Sequence, residues 1–291
     1  MTARIDHNTS TPAPSNPQET LTKTGHFING ACSSLVMITC LHPVSTIKTY
    51  LMNGRGFPSI RNLPKGISLS MGSIVPIQSV SFFTQGALVN HYFGGRRENM
   101  TDMQKLAVGL AAGISASPLA VIFDRIIIQM QLNGGGFSSN LYKIVDRCGP
   151  LGLIKGYVPT LLREISFPMT LFGLSEIFAD RIKNQLPQDW EKRDAFSALM
   201  GRVCAGMLGG ALTTPIDVVK TRMQADLEGK YPSALKTVSR LVQEEGKKSL
   251  TKGIWIRTGF IGLAITVLGY AKEKIPLLFP ESLFISNGSK S

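Results

Sequence analysis

The chain has 291 residues, of which 43% are hydrophobic and only 17% are charged, and its formal net charge is +12. Few charges together with 29 glycines are more typical of membrane helices than of soluble domains. The basic excess suits nucleic acid, an anionic membrane surface or anionic solutes as partners. The chain has no basic stripe interleaved with aromatic residues, so we expect no nucleic-acid partner.

The sequence offers few residues for catalysis or metal binding. Cys32, Cys40, Cys148 and Cys204 lack metal-ligand or CxxC spacing, and three of them lie in apolar stretches where a buried thiol is expected. The glycine run 134–136 follows a long predicted helix instead of opening one, unlike a phosphate-binding loop. We therefore expect no enzymatic activity, no metal and no cofactor.

The sequence predicts three parts in chain order: a disordered tail at residues 1–22, a membrane domain at 23–275 and a short C-terminal tail at 276–291. We expect no secretory or amphipathic targeting signal in the N-terminal tail. Six apolar stretches approach or exceed the roughly 20 residues that cross a bilayer. They lie at about 26–50, 67–90, 103–132, 157–181, 195–224 and 255–274. Ser, Thr, Gln and Gly interrupt several of them, which indicates helices that line a water-filled cavity.

One sequence unit recurs three times. Pro43, Pro118 and Pro215 each end a Gly-rich apolar stretch and are expected to kink a helix. A Lys-Gly pair follows each proline, beginning at Lys65, Lys155 and Lys252. The interval from Pro to Lys is 37 positions in the second and third copies but 22 in the first. This spacing predicts repeats at about 23–95, 101–185 and 194–275, with short interfacial helices near 139–147 and 231–245 and none in the first copy.

Small residues recur four positions apart in each odd-numbered span. The pairs are Gly30–Ser34, Gly109–Gly113 and Gly206–Gly210. Such a face lets two helix backbones approach closely in a membrane, so we expect packing contacts at all three.

The stretch Thr213–Gln224 contains the pattern Pro-x-Asp-x-x-Lys-x-Arg, and with the threefold repeat it resembles the signature of the mitochondrial carrier family over about residues 25–275. The resemblance implies an all-α membrane protein, with six transmembrane helices in a threefold pseudosymmetric bundle. It implies a central solute site that opens alternately to the two sides. It also implies a monomer in the mitochondrial inner membrane, with anionic lipid such as cardiolipin at the interfacial helices.

In this family the acid of one repeat pairs with the base of the next and closes the matrix side. The acid positions hold Ser45, Ala120 and Asp217, and the base positions hold Lys48, Phe123 and Lys220. By this register only Asp217 with Lys48 forms a pair, while Lys220 faces Ala120. Asp124 and Arg125, just beyond the second base position, are candidates for partial compensation. We predict a weak matrix gate that Asp217→Ala or Lys48→Ala leaves nearly unlatched.

The resemblance also places solute contacts seven and eight positions after each Lys-Gly glycine. Those positions hold Ser73, Arg163, Glu164 and Phe260. Arg163 offers a fork for a carboxylate and Glu164 an acceptor for an ammonium group, which together suit an α-amino acid; an internal structural ion pair is the alternative. Phe82, Phe83 and Phe167 are further candidates for contact with an aromatic ring or a sulfonium, with plain packing as the ordinary role.

Within the family the closest resemblance is to S-adenosylmethionine carriers. It depends on Gly56-Phe57, the run Arg163-Glu164-Ile165 continuing to Phe167, the Thr213-Thr214-Pro215 opening and a third contact position without Arg. S-adenosylmethionine or a related amino-acid-type solute is therefore the expected substrate. Two alternatives stay open: an adenine nucleotide carrier, whose phosphates would suit a basic cavity of Arg163, Arg202, Lys48 and Lys220, and a non-transporting adaptor on a decayed carrier.

Overall fold

A computed structural model describes residues 23–94 and 100–278, and all regular secondary structure in that part of the chain is helical. The α-helices are α1 (Lys23–Met52), α2 (Ile67–Gly72), α3 (Ile74–Phe93), α4 (Asp102–Asn133), α5 (Phe137–Cys148), α6 (Tyr157–Gln185), α7 (Arg193–Leu212), α8 (Thr214–Ala225), α9 (Ala234–Glu245) and α10 (Ile254–Lys274). The predicted N-terminal tail lies outside the described residues, as does most of the predicted C-terminal tail, which begins within a 3-10 turn at Ile275–Leu278.

The long helices form a closed ring. Around it, α1, α3, α4, α6, the α7–α8 pair and α10 each pack against the next, and α10 packs back on α1. This arrangement confirms the all-α bundle predicted from the six spans. A closed ring of six helices leaves space along its axis, which is where the polar residues of the spans meet.

Within the described residues, five helical segments are long and apolar enough to cross a membrane. They are Ile28–Met52, Ile60–Phe93, Asp102–Asn133, Arg193–Leu212 and Lys247–Leu278. The predicted fourth span, α6, has 29 residues but is not among them. The α6 helix is less apolar than the other long helices, because Arg163 and Glu164 lie near its start and Glu176 and Asp180 lie near its end. In a ring, such charges need not face lipid when they point to the axis.

The three repeat prolines have different local structures. Pro43 and Pro118 lie inside the continuous helices α1 and α4. Pro215 instead occupies the first turn of α8, after a break at Thr213, whose backbone has φ −89° and ψ 3°. Proline is tolerated in a first helical turn because the missing N–H has no partner there. The predicted kink at Pro215 is therefore a break between two helices.

The predicted interfacial helices are α5 and α9, which pack against the ends of α4 and α8. Each is followed by a glycine with positive φ, Gly149 at 71° and Gly246 at 80°. Such a backbone conformation favours glycine because glycine has no Cβ. The first repeat has only the 3-10 turn Ile60–Asn62 in this place, as its shorter interval predicts.

The glycine pairs differ in how closely their helices pack. A Cβ added at Gly206 or Gly210 would lie 2.2 or 2.4 Å from an isoleucine side chain of α10. The predicted close approach is thus confirmed for α7 against α10. The prediction is wrong for Gly30, Gly109 and Gly113, where no described atom lies within 4 Å of such a Cβ.

Candidate functional site

A cavity of about 260 Å³ lies inside the ring between α1, α6, α8 and α10. Its lining residues are Lys48, Arg163, Glu164, Phe167, Asp217, Arg257, Phe260 and Ile261. Three cationic and two anionic side chains give this lining a formal charge of +1. Ionisable groups this deep in a membrane protein are costly unless they pair with one another or bind a ligand.

Asp217 is the centre of the charge cluster. Its Oδ2 atom lies 3.0 Å from Arg257 Nη1 and 3.3 Å from Lys48 Nζ, and its Oδ1 lies 3.7 Å from Arg163 Nη1. The Asp217 side chain is only 3% exposed. It lies in the first turn of α8, where the helix dipole favours a negative charge. One carboxylate therefore holds cations from α1, α6 and α10 together.

A second ion pair connects α8 to α4. Lys220 Nζ lies 2.5 Å from Asp124 Oδ2. The repeat register assigned the acid position to Ala120, and Asp124 lies one helical turn after that residue. Residues four apart share a helix face, which lets Asp124 replace the missing acid. Together Lys48, Asp124, Arg163, Asp217, Lys220 and Arg257 form what we call the axial charge network.

The network is not threefold symmetric, because all its links converge on α8. No ion pair joins α1 to α4 among the described residues. A hydrogen bond from the Tyr50 hydroxyl to the Gln131 carbonyl (3.1 Å) connects those helices. The weak gate predicted from the register thus has more links in the structure than the single pair of Asp217 with Lys48.

The predicted solute residues Arg163 and Glu164 both line the cavity and contact each other through Nη2 and Oε1. Arg163 also faces Asp217, so it belongs both to the predicted solute pair and to the axial charge network. Phe260 lines the same cavity, with Lys48 Nζ 5.8 Å from the centre of its ring, a cation–π distance.

The other predicted solute residues lie elsewhere. Ser73 is buried at the junction of α2 and α3, and its hydroxyl donates to a carbonyl oxygen three residues earlier. Arg202 is exposed on α7 and does not line the cavity. Phe82 and Phe83 are exposed on α3, so of the three candidate phenylalanines only Phe167 reaches the cavity.

Arg257 is the residue that the sequence analysis missed. Its side chain is 4% exposed, and besides the ion pair with Asp217 it donates to the Thr213 carbonyl (3.1 Å) and hydroxyl (2.8 Å). It fixes α10 to the break between α7 and α8. The available signal was an arginine inside the last apolar span, since a charge within a membrane helix marks a functional site by default.

A closed ring of membrane-length helices around a charged cavity, with a network of ion pairs across it, defines a membrane transporter. The family described as "Mitochondrial carrier protein" matches residues 98–186 and 191–279, the second and third predicted repeats. The chain belongs to the mitochondrial carrier family. The matched segments leave out the first repeat, the one with the shortened interval.

Curated relatives include carriers of two kinds of named solute. "S-adenosylmethionine carrier 1, chloroplastic/mitochondrial" of Arabidopsis thaliana is 30% identical over 243 residues, 81% of this chain and 73% of the relative. "Mitochondrial coenzyme A transporter SLC25A42" of Homo sapiens is 28% identical over 235 residues, 75% of this chain and 71% of the relative. The chain is therefore a membrane-embedded carrier of the mitochondrial or chloroplast type that transports a small metabolite, and it is not an enzyme.

Proposed function

We propose that the chain transports S-adenosylmethionine, or a related amino-acid-type solute, by alternating access through the central cavity. The observation that carries this proposal is the adjacent Arg163 and Glu164 side chains in the cavity wall. A guanidinium binds a carboxylate through two parallel hydrogen bonds, and a carboxylate accepts from an ammonium. The pair therefore matches the two charges of an α-amino acid. The name of the Arabidopsis thaliana relative supports the same solute.

The size of the cavity agrees with recognition of one end of the solute. Its 260 Å³ is below the roughly 300–1,000 Å³ of sites that enclose a whole drug-sized ligand. Phe167 and Phe260 line the same cavity, and aromatic side chains suit contact with a ring or a sulfonium cation. The rest of the solute would then extend along the axis of the ring.

The position of Arg163 suggests how binding couples to opening. Arg163 contacts Glu164 and faces Asp217 at 3.7 Å. A solute carboxylate on Arg163 would compete with Asp217 for it, and a solute ammonium would compete for Glu164. Solute contacts thereby offset the loss of contacts in the axial charge network, so that binding shifts the population between the two open states.

An adenine nucleotide is the second candidate, and Arg257 is the observation that favours it. With Lys48 and Arg163 it gives the cavity three cations, a set suited to phosphates. The coenzyme A transporters among the relatives also carry, by name, a solute other than S-adenosylmethionine.

Uptake of labelled S-adenosylmethionine, and separately of labelled ATP, into liposomes that contain the purified protein would decide between these solutes. We expect Arg163→Ala and Glu164→Ala each to lower S-adenosylmethionine uptake roughly 10- to 100-fold, the effect of losing a hydrogen bond to a charged group. Arg202→Ala is the matched control, because Arg202 lies outside the cavity lining, and it should leave uptake unchanged.

Each other outcome has a distinct meaning. ATP uptake alone, lost in Arg257→Gln but kept in Glu164→Ala, would reject S-adenosylmethionine in favour of the nucleotide. Uptake of neither solute by folded protein would favour a different solute or the non-transporting adaptor. Repeating the assay with and without internal solute separates exchange from uniport.

We also propose a monomer in the mitochondrial inner membrane, with anionic lipid such as cardiolipin at α5 and α9. The two basic side chains of α5, Lys143 and Arg147, are exposed and support the lipid assignment. Native mass spectrometry from cardiolipin-containing detergent tests the lipid and the monomer together: a protein mass of one chain with bound cardiolipin is expected.

A further inference from the structure

Arg125 is a fully buried cation that has no carboxylate partner among the described residues. It lies on α4 and is 0% exposed. Its Nη2 atom donates to the Asp226 carbonyl (2.9 Å) and lies 3.4 Å from Cys148 Sγ. Among the described residues its Nε and Nη1 atoms have no hydrogen-bond partner. Buried guanidinium groups in proteins are normally paired with an anion, because burial of an unpaired charge is costly.

The third repeat shows what the second one lacks. In the third repeat Arg222 Nη2 lies 2.8 Å from Glu245 Oε2. These two residues are 23 positions apart in the sequence, as are Arg125 and Cys148. Glu245 and Cys148 are the last residues of α9 and α5. The repeat therefore places the Cys148 thiol where the corresponding arginine meets a carboxylate.

The carboxylates near Arg125 are held by other groups. The Asp226 side chain accepts from Lys155 Nζ (2.6 Å) and from the backbone N–H groups of Glu228 (3.0 Å) and Tyr231 (2.7 Å). Asp124, the neighbour of Arg125 in sequence, pairs with Lys220. Within the described chain, Cys148 is thus the side chain at Arg125 that can become an anion.

We propose that Cys148 is an oxidation-sensitive thiol, and that its sulfinate form supplies Arg125 with the anion that Glu245 gives Arg222. The oxidant is a peroxide. The Cys148 sulfur attacks one peroxide oxygen, so that an S–O bond forms as the O–O bond breaks. The leaving hydroxide takes the thiol proton and departs as water, so the sulfur is oxidised to sulfenic acid and the peroxide is reduced. A second peroxide repeats the step and gives sulfinic acid, which loses its proton to become the anion.

Two observations suit Cys148 to this chemistry. It is only partly buried, so a small oxidant can reach it. It also lies beside a guanidinium, the type of neighbour that favours thiol oxidation. The sulfinate would connect α5 to α4 and, through the Asp226 carbonyl, to the segment between α8 and α9. This inference does not depend on which solute the carrier transports.

A pair of substitutions tests the need for an anion at this position in the full-length protein. Cys148→Glu reproduces the third repeat, and Cys148→Ser keeps a small neutral side chain. We expect Cys148→Glu to raise the thermal unfolding midpoint by about 2–4 °C, the size of a modest stabilisation in a chain of this length, and Cys148→Ser to give no rise. A midpoint for Cys148→Glu at or below that of Cys148→Ser would overturn the proposal.

Peroxide treatment tests the chemistry itself. In the wild type, mass spectrometry should find two added oxygen atoms on the peptide that contains Cys148, and the midpoint should rise towards that of Cys148→Glu. The treated Cys148→Ser protein, which retains Cys32, Cys40 and Cys204, should show no rise. In Arg125→Met an oxidised Cys148 should bring no stabilisation. An unmodified Cys148 in treated protein, or a rise that persists in Cys148→Ser, would refute the assignment.

Discussion

Asp217→Asn should destabilise the bundle far more than Lys48→Met. Asp217→Asn removes a negative charge but keeps the shape of the side chain. It leaves Lys48, Arg163 and Arg257 around a neutral amide, whereas Lys48→Met leaves Asp217 with two cations. The repeat register alone, in which Asp217 and Lys48 are one isolated pair, predicts similar effects for the two variants.

The contacts set the expected magnitudes. Asp217 is 3% exposed and Arg257 is 4% exposed, with 3.0 Å between their charged atoms. Removal of one partner from a buried pair costs about 3–5 kcal/mol. Lys48 is 19% exposed at 3.3 Å from the carboxylate. When Lys48 is replaced, Arg257 and Arg163 continue to neutralise Asp217. We therefore expect a loss of only about 1 kcal/mol, the upper end of the range for exposed ion pairs.

Thermal unfolding of the purified protein in detergent measures the difference. Lys105→Met is the matched control, since Lys105 pairs with Asp102 at 3.0 Å but both side chains are more than half exposed, and it should leave the midpoint unchanged. Equal losses in Asp217→Asn and Lys48→Met, or a larger loss in Lys48→Met, would refute the view that one carboxylate holds three cations.

Three further predictions concern other parts of the chain. Gly201→Ala should lower the unfolding midpoint, because a Cβ there would lie 2.5 Å from a backbone carbonyl oxygen of α6, whereas Gly109→Ala, with no described atom within 4 Å, should be neutral or slightly stabilising. Burial raises the pKa of Asp226, but hydrogen bonds from a lysine and two backbone N–H groups outweigh it and leave the pKa below its usual range. The stabilisation is therefore complete above about pH 4 and disappears as the pH falls through the folded-state pKa, so a melting series against pH should show a loss that Asp226→Asn lacks. Asp124→Ala should cost about 3–5 kcal/mol by leaving Lys220, 5% exposed, without its acid, and Asp124→Glu should restore part of the unfolding midpoint.

The parts of the fold that could be predicted are those with short-range signals. Apolar stretches of membrane length, a proline at a fixed place and a Lys-Gly pair recur within each repeat, so they locate helices from local sequence alone. The same kind of signal located α5 and α9 and the missing helix of the first repeat. At Pro215 the local pattern was insufficient, because kinked and broken helices both accept a proline in this position.

The candidate site was predicted only in part, because a repeat register assumes that equivalent positions meet equivalent partners. Arg163, Glu164 and Phe260 reach the cavity as the register predicts, but Ser73, which the same register placed there, does not line it. Arg202, expected in a basic cavity, does not line it either. Asp124 takes the role that the register assigned to Ala120, one helical turn earlier. This shift keeps the acid on the same helix face but departs from the register.

The apolar stretches, the recurring prolines and the Lys-Gly pairs were enough to predict repeated membrane helices and the charged residues within them. Which of those charges meet depends on the tertiary structure. Lys48 and Asp217 are separated by 169 positions, and Arg257 reaches the same carboxylate from the last helix of the ring. Those contacts depend on how the ring closes and on the rotation of each helix about its own axis. Both result from packing over the whole bundle, which no local stretch of sequence encodes.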